Sequence, residues 1–104
     1  MYVILWEYQV KADRLAEFEK IYVPDGDWAE LFKNGAGFLG TELIHSKENP
    51  KRYITIDRWR SSKDYEAFLS QWEAEYVKLD EQCKELTEHE SCLGSFESGI
   101  HKSR

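Results

Sequence analysis

Three segments of the chain alternate in side-chain character from one residue to the next, and this alternation constrains the fold more than any other feature. They span residues 2 to 10, 38 to 45 and 52 to 59, and a period of two residues is typical of β-strands. The residues between the second and third segments predict a hairpin turn. A fourth strand is predicted over residues 91 to 97. One face of the first strand carries Tyr2, Ile4, Trp6, Tyr8 and Val10.

Helical patterns occupy the two longer connections between these strands. Pro24 interrupts the first pattern, and a shorter helical piece after it is expected to end on a left-handed glycine, Gly35. The second pattern follows Ser61, an expected N-cap, and predicts one helix, straight or bent, that starts near Ser62 and covers at least Asp64 to Lys84. The predicted element order is therefore βαββαβ.

This order predicts an α+β domain of the ferredoxin-like type, in which four antiparallel strands carry two helices on one face of the sheet. Apolar residues occur on both faces of the strands, yet the chain has only two helical regions to cover them. A second copy of the sheet is the expected cover, so we predict a homodimer. Residues 1–97 form the predicted domain, and residues 98–104 form a polar tail that is expected to fray.

Composition excludes several classes of partner. The chain has 104 residues with 14 basic and 20 acidic side chains, a formal charge of −6, and no cluster of Lys and Arg. Nucleic acid and acidic membranes are therefore not expected partners, because both attract basic surfaces. The apolar run at residues 2 to 6 stops at Glu7, so we expect no signal peptide or membrane span and a cytoplasmic protein.

The sequence also predicts that no metal or other cofactor is bound. The three histidines lie far apart, and neither Cys83 nor Cys92 stands at a zinc-ligand spacing from them. The one GxGxxG motif, Gly35 to Gly40, precedes a predicted strand, whereas a dinucleotide-binding loop opens a helix.

Aromatic residues are the most informative candidates for ligand binding. Four Trp, six Tyr and five Phe make up 14% of the chain, and several come from separate elements that converge between the sheet and the helices. Plain core packing is the alternative role for most of them. Tryptophan is seldom fully buried, however, and its N–H group requires a partner, which favours a partly open pocket for a planar aromatic molecule. The predicted ligand-binding residues are Trp6, Tyr8, Trp28, Phe32, Phe68, Trp72 and Tyr76.

Two polar residues are candidates for proton transfer. His45 stands at the end of the second strand, where it is either an acid or base near a cavity or an ordinary surface residue. Asp57 lies within the third strand, where burial of a carboxylate is costly without a partner. The alternative role of Asp57 is an ion pair with Arg58, Arg60 or a partner subunit.

Three segments resemble the antibiotic biosynthesis monooxygenase superfamily of dimeric α+β barrels: residues 40 to 43, residues 52 to 61, and residues 65 to 68. The resemblance covers residues 2 to 97. It implies a homodimer, a cavity between sheet and helices, and oxidation of polycyclic aromatic or quinol substrates by O₂ without metal or flavin. Trp59 and Tyr65 look like the Trp and Tyr that line the pocket of polyketide-oxidising members, and they complete the predicted catalytic set with His45 and Asp57.

The chain departs from the pattern of known branches at defined positions. Thr55 stands where polyketide-oxidising members have an Asn, four residues before the Trp. Trp6, Phe68 and Lys78 stand where the haem-degrading branch has Asn, Trp and His, which makes haem degradation the weaker interpretation. We therefore predict a cofactor-independent monooxygenase that acts on a small aromatic, quinol or polyketide-like substrate with O₂. The alternatives are a non-catalytic binder of aromatic molecules and a structural domain whose own side chains fill the pocket.

Overall fold

One antiparallel sheet, with the strand order β2-β3-β1-β4, forms the framework of the computed structural model, which describes residues 1–99. The strands are β1 (Tyr2–Val10), β2 (Phe38–His45), β3 (Arg52–Trp59) and β4 (Thr87–Glu97). The order is that of a ferredoxin-like sheet, and the bounds of β1, β2 and β3 are those predicted. The fourth strand begins at Thr87, four residues earlier than predicted. Residues 100–104 of the predicted polar tail lie outside the described residues.

The helices pack on the sheet face that carries Tyr8 and Trp59. Each long connection contains two helices, so the predicted βαββαβ order is kept with each helical region divided. The helices are α1 (Leu15–Tyr22), α2 (Asp27–Phe32), α3 (Ser62–Gln71) and α4 (Glu73–Cys83), followed by a 3₁₀ turn (Lys84–Leu86).

The second helical region starts where the sequence predicts but does not continue unbroken. The hydroxyl of Ser61 accepts a hydrogen bond from the backbone N–H of Asp64 at 3.2 Å, so the expected cap is present. At Trp72 the backbone leaves the helical conformation, with φ −116° and ψ 25°. The predicted long helix is therefore divided at Trp72, and Lys84 lies in the 3₁₀ turn that follows α4 and not in the helix itself. The apolar period of three and four residues continues across the break, which is why the sequence pattern did not locate it.

The left-handed glycine between α2 and β2 is Gly37 and not the predicted Gly35. Gly37 has a φ of 87°, and a Cβ atom there would lie 2.4 Å from a carboxylate oxygen of Asp64. Gly35 has a different role, because a Cβ atom on it would lie 2.8 Å from the indole ring of Trp59. The predicted role of Gly35 is therefore wrong, and close packing explains the glycine.

Within residues 1–99, no helix packs against the other sheet face. It carries apolar side chains beside two ion pairs, Arg52 with Glu7 and Arg58 with Glu42. Phe96 is 51% exposed and Ile44 is 41% exposed. The apolar residues of this open face, as assigned from the strand alternation and register, are Val3, Leu5, Ile44, Ile54, Ile56 and Phe96. None of the helices in residues 1–99 has the length and apolar character needed to cross a membrane.

Candidate active site: an aromatic pocket with a buried carboxylate

The residues of β3 that point toward the helices determine where a pocket opens. In order they are Tyr53, Thr55, Asp57 and Trp59, and all four are buried. Large rings therefore stand at both ends of the strand and small polar side chains in its middle. The neighbouring strand adds another small residue there, because Thr41 lies opposite Asp57 in the register. Three small side chains below a layer of aromatic rings leave a gap between the sheet and the helices.

That gap is a pocket with about 470 Å³ of space free of protein atoms, counted with the solvent at its mouth. Aromatic rings form most of its apolar wall. The lining residues are Trp6, Tyr8, Tyr22, Trp28, Phe32, Thr41, Thr55, Asp57, Tyr76, Asp80 and Glu90.

Asp57 is the buried charged group of this pocket, with 7% of its surface exposed. Its carboxylate accepts a short hydrogen bond from the hydroxyl of Thr41. Burial raises the pKa of Asp57 to about 6, and the hydrogen bond from Thr41 opposes that rise. A carboxyl group with this pKa exchanges its proton near neutral pH, which is the property required of a general base.

The predicted ion pair between Asp57 and a neighbouring arginine is absent from the described residues, so that alternative is wrong for the single chain. Arg58 points to the opposite face of the sheet, where it lies 3.2 Å from Glu42. Arg60 pairs with Asp64 at the start of α3, at 2.8 Å. Alternation along the strand is the reason, because residues adjacent to Asp57 must lie on the other face.

Two tyrosines, Tyr8 and Tyr76, line the same pocket as the carboxylate of Asp57. A hydrogen bond of 3.4 Å joins the hydroxyl of Tyr8 to that of Thr55. Burial raises the pKa of Tyr8 well above its ordinary value, with the charge of Asp57 as a smaller cause. Burial likewise raises the pKa of Tyr76 to about 12, with contributions from Asp80 and Asp57. Both phenols therefore remain protonated at neutral pH and are able to donate hydrogen bonds into the pocket.

Two further carboxylates line the pocket closer to solvent. Asp80 follows Tyr76 by four residues on α4, so the two side chains lie on the same side of the helix. Glu90 lies opposite Tyr8 in the register between β4 and β1, which places it on the helix-covered face. Burial raises the pKa of Glu90, and the nearby charge of Asp80 adds to the rise, while His89 and Lys84 oppose it.

The structure brings six of the predicted site residues together in this one pocket. They are Asp57 and five aromatic residues, Trp6, Tyr8, Trp28, Phe32 and Tyr76. The indole N–H of Trp28 is buried, and the side chains of Tyr22 and Cys83 are its polar neighbours.

Three other predicted residues lie in or against the core and not among those that line the pocket. Trp59 has no exposed surface, and its ring lies 5.2 Å from that of Phe38 and 5.3 Å from that of Phe68. Phe68 is 1% exposed within the same cluster. Trp72 packs against the core from the break between α3 and α4.

The last two predicted residues, His45 and Tyr65, are not among the lining residues, and Tyr65 is the nearer of the two to the pocket. His45 is exposed at the end of β2, where its ring nitrogen Nδ1 lies 3.2 Å from the carbonyl oxygen of Ser46. Tyr65 packs between Tyr2 and Trp59, with ring separations of 5.9 Å and 5.5 Å. Burial raises the pKa of Tyr65, and the charges of Tyr76 and Asp57 add to this, so Tyr65 lies beside the lining residues.

Sequence reasoning missed five lining residues: Tyr22, Thr41, Thr55, Asp80 and Glu90. A signal for two of them is present in β3, where the inward residues read Tyr, Thr, Asp and Trp, with small residues in the middle. Predicting Thr41 as a lining residue requires the register of β2 against β3. Predicting Glu90 requires knowing that β4 starts at Thr87. In the described chain no group of three His, Cys, Asp or Glu residues is placed to hold a metal ion.

Comparisons with known proteins agree with this architecture. One similar structure is SnoaB, a cofactor-independent oxygenase from Streptomyces nogalater, with a TM-score of 0.78 and 18% identity over 96% of this chain and 94% of that one. Another is the haem degrader MhuD from Mycobacterium tuberculosis, solved with two haems in its active site, with a TM-score of 0.70 and 22% identity over 99% of this chain and 100% of that one.

Identities below 25% show a shared fold and leave the ligand open. Curated protein sequences contain no match to this chain. A sequence profile described as antibiotic biosynthesis monooxygenase, however, matches residues 1–75. This match spans most of the sheet and all of the first helical region, together with α3. The chain therefore belongs to the antibiotic biosynthesis monooxygenase family.

Proposed function

We propose that this protein is a cofactor-independent monooxygenase that oxidises a small aromatic, quinol or anthrone-like substrate with O₂ in the pocket. The observation that supports the proposal best is the position of Asp57, a buried carboxylate with a pKa of about 6 inside an aromatic pocket. The family and the likeness in fold to SnoaB are consistent with it.

The reaction requires the substrate to become an electron-rich anion before it meets O₂. The ionised carboxylate of Asp57 accepts a proton from an acidic C–H or O–H of the substrate. The resulting anion delivers electrons to O₂ and forms a C–O bond. For an anthrone, one oxygen atom becomes the new carbonyl, and the other leaves as water with the two hydrogens of the methylene group.

The surrounding residues bind and orient such an anion. Tyr8 and Tyr76 are protonated at neutral pH and donate hydrogen bonds to developing negative charge on a substrate oxygen. Trp28 and Phe32 supply flat apolar surface for a planar ring system. Thr41 holds the Asp57 carboxylate in one orientation through its hydrogen bond.

Oxygen uptake with anthrone and naphthohydroquinone tests the proposal, with spontaneous oxidation subtracted. Replacing a general base costs about 10²- to 10⁴-fold, so Asp57→Asn is expected to lose at least 100-fold of the rate. Asp25→Asn, which removes an exposed carboxylate on the turn before α2, is the matched control. The wild-type rate is expected to rise with pH through about 6, as Asp57 ionises. Full turnover by Asp57→Asn would contradict the role of this residue.

A non-catalytic binder of aromatic molecules is the second candidate. The packed positions of Trp59 and Phe68 favour it, because two residues predicted to hold or act on a substrate contribute to the core instead. Such a protein binds the same ring compounds without consuming O₂. Haem degradation has less support. Where the haem-degrading branch has Asn, Trp and His, the resemblance places Trp6, Phe68 and Lys78 of this chain, and none of the three is the same residue type.

We also propose that the protein acts as a cytoplasmic homodimer whose subunits meet through the open sheet face. The support is the apolar surface of this face, on which Ile44 and Phe96 are exposed and Ile56 is half-buried, because such a surface is unusual on a monomer. Light scattering of the purified protein is expected to give twice 12.3 kDa. Ile56→Lys places a charge in the middle of this face and is expected to yield monomers, while Lys63→Glu on α3 is expected to leave the dimer intact. A wild-type monomer at micromolar concentration would refute the proposal.

A further inference from the structure

The charge of the pocket differs from that of the rest of the sheet. Its described lining contains three carboxylates, Asp57, Asp80 and Glu90, and no Lys, Arg or His. The two arginines nearest in sequence on β3, Arg52 and Arg58, lie on the opposite face of the sheet, in ion pairs with Glu7 and Glu42. The arginines of the open face are therefore paired with carboxylates, whereas the carboxylates of the pocket lining have no basic side chain among them.

The three carboxylates differ in how deeply they are buried. Asp57 is buried at the sheet, Asp80 is half-buried on α4, and Glu90 is exposed on β4. The three come from different elements, and they are not grouped closely enough to hold a metal ion. Asp80 and Glu90, the two carboxylates nearest to solvent, are therefore the ones that a charged group at the pocket mouth meets first.

The rings that line the pocket favour the same kind of ligand. Tyr76 and Trp28 lie edge to face, with their centroids 5.1 Å apart, and both belong to the lining. The faces of Trp and Tyr rings attract organic cations, and this attraction is strongest where water is excluded. An acidic pocket with such walls repels an aromatic carboxylate, because its described lining holds no basic side chain. Lys84 and His89 lower the pKa of Glu90 from outside the lining.

From these contacts we infer that the pocket selects aromatic ligands that carry a basic nitrogen and no carboxylate, with the ring system against Trp28 and Tyr76 and the ammonium group between Asp80 and Glu90. This inference rests on the proposed function and narrows its substrate class to aminated aromatic compounds. Ligands with carboxylates, haem with its propionates among them, are disfavoured by the same charges.

Calorimetric titration with three compounds of nearly equal shape tests the inference without turnover. The probes are 1-naphthylmethylammonium, 1-naphthylmethanol and 1-naphthoate, at pH 7.5 and low salt. We expect the ammonium compound to bind at least tenfold more tightly than the carboxylate, with the alcohol between them. Raising the salt concentration to 0.5 M is expected to reduce this difference, because screening weakens interactions at the open mouth.

Variants identify the source of the selectivity. Glu90→Gln and Asp80→Asn are each expected to reduce the affinity for the ammonium compound severalfold and to leave the affinity for the alcohol unchanged. Glu88→Gln removes an exposed carboxylate from the same strand, outside the lining, and is the matched control.

The outcomes separate this inference from the proposed function. Equal or tighter binding of 1-naphthoate, or an unchanged preference in both variants, would overturn the charge selectivity while leaving oxidation of neutral quinols intact. Failure of all three compounds to bind would overturn the inference together with the pocket. Selective binding of the ammonium compound without O₂ uptake on any amino-substituted anthrone or quinol would support the charge selectivity and refute the monooxygenase.

Discussion

The aromatic layer between sheet and helices has two ends that differ in packing although both contain a tryptophan with a buried N–H group. At one end Trp59 has no exposed surface and contacts Phe32, Phe38 and Phe68. At the other end Trp28 is 8% exposed and lines the pocket. Phe32 belongs to both ends, with its ring 5.7 Å from each indole.

The difference between the two ends comes from the residues opposite the rings. Trp59 lies opposite Phe38 in the register, so ring meets ring and no space remains. In the middle of the sheet, Thr41, Thr55 and Asp57 are too small to fill the space below the aromatic layer. An abundance of aromatic residues therefore does not make a pocket. Small polar residues on the facing strands open the pocket, and the buried carboxylate of Asp57 is one of them.

The largest expected effect tests whether Trp59 belongs to the core. Trp59→Ala is expected to lower the free energy of unfolding by about 3–5 kcal/mol, because it leaves a cavity in a fully packed cluster. Trp6→Ala, at the half-buried pocket wall, is expected to cost much less. Urea denaturation of the two variants measures both values. Equal losses of unfolding free energy in the two variants would mean that the two ends of the aromatic layer are packed equally tightly, contrary to the structure.

Asp57 provides the next largest effect, through the dependence of stability on pH. Its folded-state pKa of about 6 exceeds the ordinary value of 3.8, so the folded protein binds the proton more tightly than the unfolded chain. Stability is therefore expected to decline as pH rises from about 4 to about 6. The full shift corresponds to a loss on the order of 3 kcal/mol.

Asp57→Asn removes the free-energy cost of ionising a buried carboxylate. The variant is therefore expected to be more stable than wild type at pH 7.5 and to lose the decline in stability between pH 4 and 6. Thermal unfolding over this pH range provides the measurement. Asp25→Asn is again the control, since its carboxylate is exposed. A pH dependence that survives in Asp57→Asn would show that another group causes it.

The smallest expected effect concerns the hydrogen bond between Thr41 and Asp57. This bond lowers the pKa of Asp57, so Thr41→Val is expected to raise that pKa by about one unit, equivalent to ~1.4 kcal/mol. The rise of the oxidation rate with pH is expected to move upward by the same amount. Thr55→Val, which removes a hydroxyl bonded to Tyr8, is the control. An unmoved profile in Thr41→Val would show that Thr41 does not tune the carboxylate.

Local patterns were sufficient to predict most of the framework. Alternation over residues 2 to 10, 38 to 45 and 52 to 59 marked three strands with their observed bounds, because one face of each strand is buried. The capping Ser61 marked the start of α3 for a similar reason, since a cap depends only on neighbouring residues. Together with the element order, these signals determined the ferredoxin-like fold.

The tertiary structure alone decided which residues share the pocket. The sequence does not show whether Trp59 or Trp28 lines the pocket. Only the side chains packed against each of them in the fold make Trp59 a core residue and Trp28 a pocket wall. Glu90 and Asp80 meet at the pocket through the pairing of β4 with β1 and the packing of α4, which no local pattern encodes. The physical reason is that strands and caps depend on neighbours along the chain, whereas pockets and their pKa values depend on side chains brought together from distant positions.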